Sequence, residues 1–140
     1  MARKLLGLVF GVVGVGLLAS ATPVVAHHSV SAEFDTTKTI SFTGKVKEVS
    51  WGNPHIYTSV ETTDPDSKKP IVFRVEGGAP NALFRAGWRK DTVKIGETVK
   101  VTGNRAKNPE STNIGQATIL NEAGKRIYNG NNGTAAGATE

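Results

Sequence analysis

Thr39-Ile40-Ser41-Phe42-Thr43-Gly44-Lys45-Val46-Lys47-Glu48-Val49-Ser50-Trp51 is the stretch on which the fold turns. Ile40, Phe42 and Val46 fall on one parity, and Ser41, Thr43, Lys45 and Lys47 on the other. A period of two over this length predicts a half-buried strand. After Val46 the alternation slips, because Val49 and Trp51 take the opposite parity. That slip, together with Gly44, predicts a bulge or strong coil in a long first strand.

Working outward, Gly52-Asn53-Pro54 reads as a turn. His55 to Thr62 alternates again, with Ile56 and Val60 facing inward. Asp64 to Pro70 reads as a hairpin loop, and Ile71, Phe73 and Val75 as a third strand stopped by Gly77-Gly78. Pro80 to Ala86 is the one predicted helix, since Pro suits a first helical position and Gly87 a stop. Leu83 and Phe84 are expected to face the core, with Trp88 closing the end. A fourth strand is expected over Thr98–Gly103, with Val99 and Val101 inward, and a polar loop over Asn104–Asn113. A fifth strand follows over Gln116–Leu120, and Arg126–Tyr128 pairs back after the turn at Asn121–Gly124. Ile119 completes the expected core.

Three strands, a short helix and two strands is the order of an OB-like five-stranded barrel, an all-β fold with one short helix between strands 3 and 4. The long bulged first strand fits, because it must serve both halves of the barrel. A β-sandwich is the rival, and its seven strands are hard to find here.

Upstream, Arg3 and Lys4 precede the uncharged run Leu5–Leu18 and a small-residue stretch ending at Ala26. These are the three parts of a secretory signal peptide. The run is shorter than the roughly 20 apolar residues of a membrane-spanning helix. Gly7, Gly11, Gly14 and Gly16 weaken it further as a permanent helix. Cleavage after Val24-x-Ala26 is favoured over Ala19-x-Ala21, because the polar chain begins directly behind it. The expected organisation is therefore a cleaved signal over residues 1–26, one domain over 27–128 and a disordered Gly/Asn/Ala/Thr tail over 129–140. His27 to Lys38 reads as an extended arm. The style of the signal points to a bacterial exporter and the periplasm, with no membrane anchor after cleavage.

The charge narrows the partners. The chain carries 17 basic and 12 acidic residues; without Arg3 and Lys4 the balance falls to +3. The charges are interspersed, which argues against a polyanion footprint, and nucleic acid is not an expected partner. The absence of cysteine excludes disulfides, thiolate metal sites and cysteine nucleophiles. The carboxylates are scattered, and no catalytic centre of the chain's own is expected.

The three histidines carry the site reading. Cleavage after Ala26 makes His27 the first residue. Its α-amino group, with a pKa near 8, and its imidazole then chelate one metal ion together. Neutral imidazoles suit copper, zinc and nickel. His28 points the other way in an extended chain, so His55 is the better third ligand, in a T-shaped copper arrangement known as a histidine brace. The expected function is an exported binding or accessory module holding copper through His27 and His55, with His28 nearby. The alternative is a metal-free adaptor that meets a protein or cell-envelope partner through Trp51, Asn53 and Trp88. The Glu76-Gly77-Gly78-x-Pro80-Asn81 stretch reads as a tight strand-to-helix connection.

Taken together, these motifs resemble a family of small exported bacterial proteins of unknown function. The resemblance rests on Ala26-His27-His28-Ser29, Phe34-Asp35, Gly44-x-Val46 and Trp51-x-Asn53-Pro54-His55. It continues through Glu76-Gly77-Gly78-x-Pro80-Asn81-x-Leu83, Arg85-x-Gly87-Trp88 and Gly96-x-x-Val99, and runs from about Ala26 to Ile127. It implies a place and a domain, not a reaction.

Overall fold

A computed structural model describes residues 30–130 and 134–135. The elements are α1 (Val30–Glu33), β1 (Phe34–Ser50), β2 (Tyr57–Thr63), β3 (Pro70–Glu76), α2 (Pro80–Arg85), β4 (Thr98–Ala106), β5 (Asn113–Asn121), β6 (Arg126–Asn129) and β7 (Thr134–Ala135). The fold is mostly β with only short helices. The strands form one sheet in the order β3-β2-β1-β4-β5-β6-β7. Neighbours along that order are antiparallel. A short parallel contact, Arg74↔Asn113 and Val75↔Ile114, joins β3 to β5. It closes a ring of five strands, β1-β2-β3-β5-β4.

The first strand behaves as its pattern demands. Thr39 to Lys45 pair with β4, and Lys45 to Ser50 with β2. The register with β2 passes from Val46↔Val60 to Glu48↔Ser59, so Lys47 is the extra residue of a bulge. The slip after Val46 has this physical cause: one added residue inverts the parity of everything that follows. Gly44 marks the place where the strands crowd. A Cβ there would lie 2.8 Å from Val60 Cγ1 and closer still to the Glu61 carbonyl oxygen.

Of the expected core, Phe42, Val46, Ile56, Val60, Phe73, Val75, Leu83, Val99, Val101 and Ile119 are buried. Ile40 and Ile71 are half-buried and pack against them. Phe42 and Phe73 meet at the centre, ring centroids 4.7 Å apart. Burying one such side chain contributes about 1.5–3 kcal/mol. Phe34, Val93, Ile114, Ala117 and Tyr128 are also buried. Phe34 lies flat over Gly115, where any Cβ would overlap its ring. The β2–β3 loop is tied down by Arg105, which bonds Asp64 and lies 3.0 Å from Asp66 Oδ2. Burial works to raise the Asp64 carboxyl. Hydrogen bonds from Asp66 N–H and Ser67 Oγ, with the Arg105 charge, outweigh it and hold the carboxyl below its ordinary range.

Four expectations need correction. Val30–Glu33 is a helical turn, not part of an extended arm, and Phe34–Lys38 belong to β1. The end of the expected polar loop at Asn104 lies in β4, and Asn113 already lies in β5. Phe84 is 55 % exposed rather than in the core. A six-residue helix turns one face inward; Leu83 takes it, and Phe84 lies under the Arg89 guanidinium at 4.0 Å. Trp88, counted among partner-facing residues as well as an end-closing one, is 4 % exposed and packs inside. It is drawn in by the helix stop: Gly87 takes φ +93°, and the N–H groups of Gly87 and Trp88 donate to the carbonyls of Phe84 and Leu83. The expected tail and signal peptide fall mostly or wholly outside the described residues; within the tail, Thr134–Ala135 pair with Tyr128–Asn129. Among the described residues no helix is long and apolar enough to cross a membrane.

Candidate functional site

The corner at the start of β2 brings together two sequence motifs that lie some twenty residues apart. After β1 the chain turns through a cis Asn53-Pro54 peptide, with Asn53 exposed and Trp51 half-buried against the core. Ile56 N–H then donates to Gly78 O (3.0 Å), and Gly77 N–H to Ile56 O (2.7 Å). These bonds carry the β2–β3 ladder one step past the strand ends. Gly77 permits the approach, because a Cβ there would press on the Ile56 carbonyl at 3.0 Å.

The consequence is a paired histidine. His55 Nδ1 lies 2.8 Å from Glu76 Oε1, with the histidine side chain 36 % and the glutamate 17 % exposed. Tyr57, directly opposite Glu76 in the ladder, sets its ring edge-on to His55 at 6.4 Å. The Arg74 guanidinium covers the Tyr57 ring at 3.7 Å, a cation–π contact. Burial raises the Tyr57 phenol, helped by the charges of Glu76 and Glu33 and opposed by Arg74. Tyr128, beneath, is pushed up to about 12, first by burial and then by Glu76. Its ring meets Trp88 edge-on at 5.6 Å. Glu76 is therefore the electrostatic centre of the corner.

The N-terminal segment enters beside it. Lys107 N–H donates to Glu33 O (2.9 Å), and Lys107 Nζ donates to Ser31 O. Asn113 Nδ2 donates to Glu33 Oε1 at 3.4 Å, and Asn113 is the ladder partner of Arg74. The first described residues thus stand near the Tyr57–Arg74 face.

His55 is the only expected metal ligand among the described residues; His27 and His28 lie outside them. Among the described residues no group of three or more His, Cys, Asp or Glu could hold a metal ion. Glu76 was missed as a partner of His55 because it was read as part of a strand-to-helix connection. A signal for it existed. A hairpin closed between Thr63 and Pro70 places Tyr57 opposite Glu76 by register alone.

No curated protein and no solved structure matches the chain. Residues 14–116 match the model of a family of unknown function, DUF6152, and on that match across most of its length the chain belongs to this family.

Proposed function

We propose that this is an exported, non-catalytic binding module that holds one metal ion, copper first, between a mature N-terminus at His27 and the imidazole of His55, with His28 nearby. The observation that carries the reading is the entry point of the N-terminal segment. Ser31 and Glu33 are pinned to Lys107 and Asn113, and the Glu33 charge is felt at Tyr57, whose ring neighbours His55. Three residue steps lead from Val30 back to His27, and an extended chain covers about 10 Å in that distance. The reading requires that a chain start at His27 meet the His55 corner. The ligand set would be an amine and two imidazoles, which favours Cu(II) over Zn(II) in the usual affinity order.

The same reading takes the five-strand ring as an OB-like barrel, supported by the order β1-β2-β3-β5-β4 and by α2 standing between β3 and β4. It takes residues 1–26 as a cleaved signal and the periplasm as the location, supported by the charged start and apolar run of the leader. A metal-free adaptor is the second reading. It is favoured by the exposed apolar side chains Phe84 and Ile95 and by the Trp51–Asn53 turn. Trp88, being buried, no longer contributes a surface to it.

Copper titration of the correctly processed protein, its start checked by intact mass, is the test. One Cu(II) should bind per chain, more weakly as pH falls because protons compete for the amine and imidazoles. A form with Met ahead of His27 and the His55→Ala variant should both bind much more weakly, and His28→Ala should matter less. Equal affinity in all four forms, or a mature chain starting at Thr22, rejects the metal site in favour of the adaptor.

A further inference from the structure

We infer that Glu76 is the positioning residue of the His55 site: it holds the proton on Nδ1 and so makes Nε2 the atom that binds metal. This rests on the metal reading above and adds to it the atom and the residue that selects it.

The geometry leaves little freedom. At 2.8 Å from Glu76 Oε1, the Nδ1 position of a neutral His55 must carry the hydrogen, because an ionised carboxylate only accepts. The lone pair then resides on Nε2. Both ends of the bond are held by backbone. Ile56, next to His55, is bonded to Gly77 and Gly78, which follow Glu76 directly. Rotation of the ring to present Nδ1 outward would abandon that bond. Glu76 is mostly shielded from water, so the bond is less screened than a surface pair. A carboxylate behind a ligating imidazole also raises its basicity and fixes its orientation, and removing such a partner commonly costs 10–100-fold in metal affinity. Gly77 favours the arrangement: a Cβ there would lie 3.0 Å from the Ile56 carbonyl oxygen and press on the bridge that holds the two ends together.

Nitrogen-15 spectroscopy of the metal-free, processed protein at pH 8 tests this without any metal. Free histidine side chains favour the proton on Nε2, so the expected Nδ1–H form of His55 is the uncommon one. It should revert in Glu76→Ala and be retained in Glu76→Gln, whose amide oxygen still accepts; amide spectra check that both variants fold. Copper affinity should fall 10–100-fold in Glu76→Ala and less in Glu76→Gln. An Nε2–H form in the unaltered protein, or no change of tautomer in Glu76→Ala, overturns the assignment whatever copper does. The expected tautomer with copper binding indifferent to both His55→Ala and Glu76→Ala overturns the metal reading and, with it, the positioning role. Loss of copper in His55→Ala but not in Glu76→Ala overturns the role of Glu76 alone.

Discussion

Phe73 and His55 belong to the same β2–β3 hairpin region and have opposite surroundings. Phe73 is fully buried, with its ring on Phe42 and the Arg105 guanidinium 5.0 Å from its centroid. His55 is over a third exposed and is held by one carboxylate and by a backbone bridge built on glycine. The core side spends its residues on excluding water. The His55 corner gathers a partly exposed histidine, two carboxylates, an arginine and Tyr57, and the charge of Glu76 also acts on the buried Tyr128. Groups that contribute little to packing but are tightly placed by their neighbours are characteristic of sites that bind something.

The sharpest way to break the contrast is at its buried end. Phe73→Ala should cost about 3–5 kcal/mol in denaturant unfolding, through lost burial and a cavity that the closed ring cannot collapse to fill. A loss below about 1 kcal/mol would mean that the ring is loosely packed there. Gly44→Ala should come next, at about 1–3 kcal/mol, because the added methyl meets backbone at Glu61 and the Val60 side chain rather than a flexible side-chain end. A neutral result would mean that β1 shifts freely at the strand crossing.

A smaller effect should appear at high pH. The chain has only two tyrosines, and both phenols are raised in the folded state. In the unfolded chain they ionise near 10. The unfolded state therefore loses protons first, so this stabilisation is complete below about pH 10 and declines as pH rises towards about 12. Phenolate absorbance in the folded protein should lag behind that in denaturant, and Tyr128→Phe should remove most of the lag. Coincident titration curves would contradict the burial of Tyr128 beneath Glu76.

His55→Ala should have the smallest effect on stability, below about 1 kcal/mol, since partly exposed ion pairs contribute little. Its effect on copper binding should nevertheless be large. If unfolding instead shows His55→Ala to be as damaging as Gly44→Ala, the corner is a structural clamp and the contrast with Phe73 disappears.

Much of the ring was legible in the residues. Alternation located the inward faces of the first four strands, and the parity slip after Val46 marked the bulge, because a period-two pattern records every inserted residue. Gly87 announced the helix stop. The misreadings share a cause: they concern short segments in which propensity is weak and tertiary contact decides. Phe34 lies in the stretch that reads as an extended arm, and only Gly115, some eighty residues on, supplies the surface it covers. Phe84 and Leu83 are adjacent apolar residues, and only the placement of the helix chooses between them.

The sequence alone determined the inward faces of the first four strands, where the first strand bulges, where the helix ends, and that neither disulfides nor thiolate chemistry is available. These follow from local periodicity and residue chemistry. Only the tertiary structure decided that β3 meets β5 to close the ring, that Trp88 is drawn into the core, and that the Trp51–His55 and Glu76–Gly78 motifs form one corner. Such pairings depend on strand register and on contacts between distant segments. The partner of His55 is therefore set by the folding of the whole hairpin, not by any residue adjacent to it in the chain.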